Sequence, residues 1–218
     1  MWYNFCMNLY ELAIFFFEIT GTVAFASSGA VLAIKKRMDL FGVCTLGIVT
    51  AVGGGLCRDL VLGNIPPTMF VKPVYTMVAV ATSLVIFCFV AIFKHRLSSQ
   101  LLYFYEKIMQ FFDTAGLGIF SVMGVNTAHQ MGYTNMFLLI FVGMLTGVGG
   151  GLIRDLLAQE KPYILTKDVY AVASILGAAV CTLFLARTNT LFAMIVGAAV
   201  VCIVRALAVH FKWNLPIA

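Results

Sequence analysis

Apolar residues occur along this chain in long runs that are separated by short polar links. Each run has about the 20 residues that a helix needs to cross the hydrocarbon core of a bilayer. The pattern predicts an all-α polytopic membrane protein whose residues 1–218 form a single membrane domain. We number the seven expected transmembrane helices as segments 1 to 7. To within a few residues they are Leu9–Ile34, Leu40–Leu62, Pro73–Phe93, Tyr103–Val125, Thr134–Ala158, Val169–Ala186 and Thr190–Val209.

Composition excludes a soluble domain. Hydrophobic residues make up 62% of the chain and charged residues only 11%. A typical soluble domain is about 45–50% apolar and about 25% charged. The six cysteines show no CxxC or Cys/His spacing, so neither a metal site nor a disulfide framework is indicated.

The basic residues predict the orientation, because cytoplasmic links of membrane proteins are enriched in Lys and Arg. Lys72 and Arg187 are the basic residues of the links on one side. The richer side, which we expect to be cytoplasmic, carries Lys35, Lys36, Arg37, Lys94, Arg96, Lys161, Lys167 and Lys212. The N-terminus is then outside and the C-terminus inside. The net charge of +5 indicates topology and contact with membrane lipid headgroups, and no clustered basic face indicates a nucleic-acid partner.

The chain contains an internal repeat. The stretch "TAVGGGLCRDLVLGNIPP", residues 50–67, recurs as "TGVGGGLIRDLLAQEKPY", residues 146–163. "EITGTVAFASSGA", residues 18–30, likewise matches "DTAGLGIFSVMGV", residues 113–125. Residues 9–93 and 103–186 are therefore two copies of a three-helix unit. Because three is odd, the second copy is expected to be inverted in the membrane, as in many transport proteins. Segment 7, residues 190–209, lies outside the duplication.

Each copy has three consecutive glycines in the middle of a membrane segment. Glycine costs about 1 kcal/mol against alanine in a helix interior. One interpretation is close helix packing, for which small residues are suited. The favoured interpretation is that segments 2 and 5 are broken or kinked, with freed backbone groups lining a polar path. The residues concerned are Gly53, Gly54, Gly55, Gly149, Gly150 and Gly151.

Charged residues occur at matching places in both copies. Glu18 corresponds to Asp113, and the pair Arg58 and Asp59 corresponds to Arg154 and Asp155. Charges within spans usually face a water-filled path or a partner. Adjacent residues on a helix point about 100° apart, so we expect each arginine to avoid its neighbouring aspartate and to find another partner.

Two pairing schemes are open for these charges. Within a copy, Arg58 meets Glu18 and Arg154 meets Asp113. Across the copies, Arg58 meets Asp155 and Arg154 meets Asp59. In either scheme the pairs act as structural links or as a gate, and the sequence does not distinguish these roles.

Small hydroxyl residues near the proposed path are further candidates for contact with an ion. They are able to replace hydration water, although hydroxyls in membrane helices commonly bond to their own backbone. The candidates are Ser27, Ser28, Ser121, Thr50 and Thr146. No nucleophile–base pair, phosphate loop or metal spacing indicates an enzyme, a cofactor or a bound metal.

The doubled VGGGLxRDL motif, residues 52–60 and 148–156, resembles that of the prokaryotic trimeric intracellular cation channel (TRIC) family. That family is also labelled UPF0126 and, in some cases, a glycine-transporter domain. The resemblance covers residues 9–209 and implies a homotrimer in a prokaryotic plasma membrane, with a pore in each subunit. It implies that kinked segments 2 and 5, with segments 1 and 4, conduct potassium and sodium ions. The lysine motifs that animal members use for lipid regulation are not evident, since Arg58 and Arg154 stand beside the glycines.

The leading hypothesis is therefore a monovalent cation channel, with Glu18 and Asp113 favouring positive charge. The alternative is a secondary transporter of a small amino acid such as glycine, because inverted repeats with broken helices also serve alternating access. A third class is a membrane protein with a structural role, in which the glycines serve packing only.

Overall fold

The structure is a computed structural model that describes residues 9–93, 100–166, 169–211 and residue 213. Four residues used for the orientation, Lys94, Arg96, Lys167 and Lys212, lie outside the described residues. Within the described part, all regular structure is α-helical. The helices are α1 (Leu9–Lys35), α2 (Leu40–Leu62), α3 (Thr68–Val71), α4 (Val74–Phe93), α5 (Gln100–Gln130), α6 (Met136–Leu157), α7 (Tyr163–Thr166), α8 (Tyr170–Leu185) and α9 (Thr190–Phe211).

The seven long helices follow the seven apolar runs, but their lengths differ. Among the described residues, six helices are long and apolar enough to cross a membrane, whereas α8 has only 16 residues. At about 1.5 Å per residue, α8 is about 24 Å long, short of the roughly 30 Å of a bilayer core. The fold is thus an all-helical polytopic membrane fold, and length and composition support six spans where the sequence predicted seven. The short helices α3 and α7, one in each copy, were not predicted.

Capping residues recur with the repeat and explain where two of the long helices begin. The Asp39 carboxylate accepts a hydrogen bond of 2.7 Å from the Gly42 backbone N–H. The Asn135 side chain accepts one of 3.2 Å from the Leu138 backbone N–H. Each cap satisfies a backbone donor that the first helical turn leaves without a partner. The two helices that contain the glycine triplets, α2 and α6, therefore start in the same way.

Four helices form the centre of the molecule. Helix α1 packs against α2 and α5, and α6 packs against α2 and α5. Helix α4 lies against α1 and α2, while α8 lies against α5 and α6. Helix α9 covers α8 and α5. The arrangement places both glycine triplets and the charged residues of both copies inside one central bundle.

Two of the links that were predicted to share one side of the membrane lie together. Lys36 follows α1, and its Nζ lies 2.7 Å from Glu160 Oε1, in the link that precedes α7. The α1–α2 link and the α6–α7 link are therefore at the same end of the bundle. Which end faces the cytoplasm remains a prediction.

Candidate functional site

The two glycine triplets lie where α2 and α6 cross. A Cβ atom added to Gly54 would clash with the backbone carbonyl of Thr146, and one added to Gly150 would clash with that of Thr50. The contacts are reciprocal between the two copies. A side chain at either glycine would force the helices apart, so these residues allow a direct contact of two backbones.

Both triplets lie within continuous α-helix, which corrects the prediction of broken helices. Residues Gly53, Gly54 and Gly55 are helical within α2, and Gly149, Gly150 and Gly151 are helical within α6. The physical reason is that packing of the facing helix replaces the side chains that glycine lacks. The close-packing interpretation therefore accounts for the middle glycines, and a bend within either continuous helix remains a prediction.

In the second copy, Arg154 is completely buried and binds two carboxylates. Its Nη1 lies 2.6 Å from Asp113 Oδ1 and donates a hydrogen bond to Ser28 Oγ. Its Nη2 lies 2.8 Å from Asp155 Oδ1, and its Nε also donates to that oxygen at 2.8 Å. Ser28 belongs to α1, so this arginine links α5 and α6 to the first copy.

The other oxygen of Asp155 holds the short helix α7. Asp155 Oδ2 accepts a hydrogen bond of 2.9 Å from the backbone N–H of Tyr163, the first residue of α7. The Arg154 guanidinium lies 5.8 Å from the centre of the Tyr163 ring, within the range of a cation–π contact. Asp155 therefore connects the buried Arg154 to the start of α7.

The first copy repeats part of this arrangement. Arg58 Nε donates a hydrogen bond of 2.9 Å to Asp59 Oδ1, and Asp59 Oδ2 accepts one of 2.6 Å from the backbone N–H of Thr68, where α3 begins. Glu18, the counterpart of Asp113, instead accepts a hydrogen bond from the Tyr75 hydroxyl. We call Glu18, Arg58, Asp59, Thr68 and Tyr75 the first half-site. Their counterparts Asp113, Arg154, Asp155, Tyr163 and Tyr170 are the second half-site.

The structure corrects the expectation that an arginine avoids the aspartate next to it. Arg58 pairs with Asp59, and Arg154 pairs with Asp155. The Cα–Cβ directions of neighbours do diverge by about 100°, but the long arginine side chain curls back to reach the carboxylate. The position of a residue on the helix therefore does not by itself decide which group a long arginine side chain reaches.

Of the two pairing schemes, the structure contains one pair of the within-copy scheme. Arg154 meets Asp113 as that scheme requires. Among the described residues, the ion pair of Arg58 is with Asp59, and neither arginine pairs with the aspartate of the other copy. Glu18 is longer than Asp113 by one methylene and turns to Tyr75. The within-copy pairing is therefore complete in the second half-site only.

A cavity opens beside the first half-site. Its volume is about 50 Å³. Its lining combines charged groups with apolar and small residues of five helices, α1 to α5. Among them are Glu18, Thr22, Val52, Gly55, Arg58, Asp59, Thr68, Met69, Tyr75 and Phe120. Charged side chains within membrane spans usually face a water-filled path or a partner, and this lining provides a carboxylate, a guanidinium–carboxylate pair and hydroxyls.

The hydroxyl candidates are all buried within the bundle. Thr50, Thr146 and Ser121 each donate a hydrogen bond to the backbone carbonyl four residues earlier, at 2.6, 2.7 and 2.7 Å. Ser28 accepts from Arg154, and Ser27 is 3% exposed. Thr50, Thr146 and Ser121 therefore bond to the backbone of their own helix, which was the alternative to ion contact. Their contact with an ion remains a prediction.

Arg205 on α9 is a charged residue of the site that the sequence analysis missed. Its side chain is 1% exposed, and its guanidinium lies 4.9 Å from the centre of the Tyr170 ring. The signal was available, because Arg205 is a charge within segment 7, and charges within spans usually have a functional partner. It was overlooked because segment 7 has no counterpart in the repeat.

Comparison with known proteins places the chain among bacterial membrane proteins. The family described as Glycine transporter matches the chain twice, over residues 15–91 and residues 110–187. A UPF0126 membrane protein of Deinococcus radiodurans is 40% identical over 176 residues, which cover 79% of this chain and 77% of that protein. The UPF0126 inner membrane protein YadS of Escherichia coli K12 is 37% identical over 94% of this chain and 96% of its own length.

Solved structures with a similar fold lead to the same family as these relatives. The structure of a TRIC cation channel, studied for the basis of its conductance, shares 38% identity with a TM-score of 0.79, covering 93% of this chain and 96% of that one. The TRIC trimeric intracellular cation channel orthologue from Rhodobacter sphaeroides shares 32% identity with a TM-score of 0.81, covering 92% and 98%. The chain belongs to the TRIC/UPF0126 family. The resemblance seen in the doubled glycine motif is confirmed.

Membership of the TRIC/UPF0126 family establishes an integral membrane protein of the channel and transporter class, which is not a class of enzymes. The neighbouring structures support a cation channel and do not favour the amino-acid transporter that the sequence left open.

Proposed function

We propose that this protein is a potassium- and sodium-permeable channel with a pore inside each subunit, lined by α2 and α6 together with α1 and α5. The observation that carries the proposal is the open cavity at the first half-site, where the half-buried Glu18 carboxylate faces space beside the crossing of α2 and α6. A carboxylate in a cleft with low-dielectric walls raises the local concentration of cations.

The path continues through the bundle towards the second half-site. Asp113 and Arg154 lie there, at the places that correspond to Glu18 and Arg58. A cation that leaves the cavity therefore next meets closely packed side chains that form ion pairs. In the proposal, Arg154 and its carboxylates form the closed constriction. Conduction then requires α2 and α6 to shift or bend at the glycine triplets, which leave backbone carbonyls such as those of Thr50 and Thr146 close to the crossing.

The proposal includes the membrane arrangement that the sequence predicts. The two copies are inverted relative to each other, α8 crosses the membrane as the shortest of seven spans, and the chain lies in the plasma membrane of a prokaryote. The N-terminus is outside and the C-terminus is cytoplasmic. The reciprocal contacts of Gly54 and Gly150 support the inversion, and the named trimeric orthologue supports a homotrimer.

Ion flux tests the function. Purified protein is reconstituted into liposomes and into planar bilayers, and potassium, sodium and choline currents are compared under chloride gradients. We expect unitary currents with reversal potentials near those of potassium and sodium, and none for choline. Absence of cation-selective events from folded protein would contradict the channel. Saturable uptake of labelled glycine without unitary currents would establish the transporter instead.

A further inference from the structure

Each half-site contains a carboxylate whose partner differs between the two copies. In the first half-site, the Glu18 carboxylate accepts a hydrogen bond from the Tyr75 hydroxyl. In the second half-site, the corresponding Asp113 pairs with Arg154, whose Nη1 lies 2.6 Å from Asp113 Oδ1. A tyrosine and an arginine are thus alternative partners of one carboxylate, and each copy shows one of the alternatives.

Tyr170 is the tyrosine that the second half-site leaves unused. Its side chain is 3% exposed, and within the described part of the chain its hydroxyl makes no hydrogen bond of standard geometry. A Cβ added to Gly151 would lie 2.9 Å from this hydroxyl and 3.5 Å from Asp113 Oδ1, so the hydroxyl and the carboxylate are close neighbours. A buried hydroxyl without a partner is destabilising. We therefore expect this one to have a partner in another state of the protein.

The arginine of the first half-site stays paired without Glu18. Arg58 Nη2 lies 2.8 Å from Asp59 Oδ1, and Arg58 Nε donates a hydrogen bond of 2.9 Å to the same oxygen. Arg154 makes the equivalent pair with Asp155. Because each arginine keeps the aspartate next to it, releasing the carboxylate of α1 or α5 leaves no guanidinium buried without a counter-charge.

The two partnerships leave different amounts of space and of charge. A Cβ added to Gly55 would meet only the Arg58 guanidinium among the described residues, at 3.7 Å or more. Around the equivalent Gly151, the tyrosine hydroxyl, the carboxylate and the guanidinium all approach this closely. A tyrosine donor is neutral and leaves the negative charge of the carboxylate available to a cation, whereas a guanidinium cancels it. The tyrosine partnership therefore accompanies an open, negative site, and the arginine partnership a filled one.

We propose that each half-site is a two-position switch, in which the carboxylate moves between tyrosine and arginine and so admits or excludes the permeating monovalent cation. Tyr75 and Tyr170 are its positioning residues. The inference rests on the proposed channel function. The first half-site is in the tyrosine position and the second is in the arginine position. When Asp113 leaves Arg154 for the Tyr170 hydroxyl, the second half-site takes the arrangement of the first, and both halves of the path are open.

The test compares Tyr170→Phe with the unchanged protein in planar bilayers and by thermal unfolding in detergent. We expect the open probability to fall about tenfold, because the hydroxyl bonds to a charged group in the open state alone. The midpoint of thermal unfolding should not fall, because the hydroxyl makes no standard hydrogen bond in the closed arrangement. A hydroxyl that only supports packing would give the opposite result, a lower midpoint with a normal open probability.

Two further variants complete the comparison. Tyr75→Phe should lower both the open probability and the midpoint, because the bond from Tyr75 to Glu18 is already present in the structure. Tyr10→Phe is the control at the start of α1, where the hydroxyl donates to Asn126 at 3.1 Å and accepts from Gln130 at 2.8 Å. Its loss removes hydrogen bonds outside the half-sites, so Tyr10→Phe should lower the midpoint and open as the unchanged protein does.

The outcomes separate the switch from the channel. Equal open probabilities in Tyr170→Phe and Tyr10→Phe would overturn the switch and leave the channel intact. A lower midpoint for Tyr170→Phe than for the unchanged protein, or its failure to fold, would also overturn the switch. Normal opening of Tyr75→Phe would do the same. Absence of cation current in the unchanged protein would overturn both proposals.

Discussion

At the scale of single residues, the repeated motif turns out to contain glycines with different surroundings. Gly54 and Gly150 lie against backbone carbonyls of the opposite helix, whereas Gly55 faces the cavity. The sequence shows six equivalent glycines, and no pattern in it separates the packed ones from the open ones. That distinction arises only when α2 and α6 are brought together.

Replacing Gly54 or Gly150 by alanine should destabilise the protein. The added Cβ clashes with a backbone carbonyl that cannot move aside as a flexible side chain can. We expect a loss of about 1–3 kcal/mol, the usual cost of overpacking, seen as a lower midpoint of thermal unfolding in detergent. The matched control is Gly55→Ala, which has open space and should gain up to about 1 kcal/mol from alanine's helix propensity. A Gly54→Ala protein as stable as the Gly55→Ala protein would contradict the close crossing.

The charged residues show how far the sequence predicts the site. Glu18, Asp113 and the two Arg–Asp pairs were expected at matched places inside the bundle, and the structure brings each set together. Their partners were harder to predict, because the Glu18 carboxylate accepts from Tyr75 whereas the Asp113 carboxylate pairs with Arg154. Arg205 could have been found from its charge alone, but its contact with Tyr170 depends on how α9 packs.

At the scale of helices, the apolar runs predicted the bounds of the long elements well. In lipid every backbone polar group must be satisfied within the segment, so an apolar run that spans the membrane forms a helix. Helix α2 begins and ends where segment 2 was expected. The predicted break was wrong because intrinsic propensity treats a glycine triplet as a weak point. Packing between α2 and α6 outweighs that weakness, so the tertiary contact decides the local structure.

Removing a helix cap should test how α6 is started. Asn135 accepts from the Leu138 backbone N–H at the first turn of α6. Asn135→Ala leaves that donor without its partner and should lower the free energy of unfolding by about 1 kcal/mol. Thermal unfolding in detergent measures the change. Asn135→Asp is the control, because it keeps an acceptor at the same place and should retain the stability. Equal losses in both variants would show that the cap contributes nothing.

At the scale of the whole molecule, the duplication explains why the bundle is nearly symmetric, and α9, which has no counterpart in the repeat, explains why the symmetry is incomplete. Reciprocal contacts at Gly54 and Gly150 join the copies at the centre. Away from the centre, α4 is the one long described helix on one flank, while α8 and α9 together cover the other. A bundle with two different flanks can have an open cavity at one half-site and a closed cluster at the other, which is an arrangement suited to a gated path.

A pore inside each subunit predicts graded currents from mixed trimers. Glu18→Lys replaces the cavity carboxylate with a cation, so it should repel permeating ions while the exposed mouth of the cavity leaves room for the longer side chain. Linked trimers with one, two or three altered subunits should then carry about two-thirds, one-third and almost none of the normal maximal current, since three independent pores add. Linked trimers with Glu11→Gln, a charge change at the exposed start of the same helix, are the control and should conduct normally. Planar-bilayer recording distinguishes this outcome from a single central pore. In a single shared pore, the side chains of all three subunits would line the same path. One altered subunit would then change every unitary current, instead of removing a third of the total current.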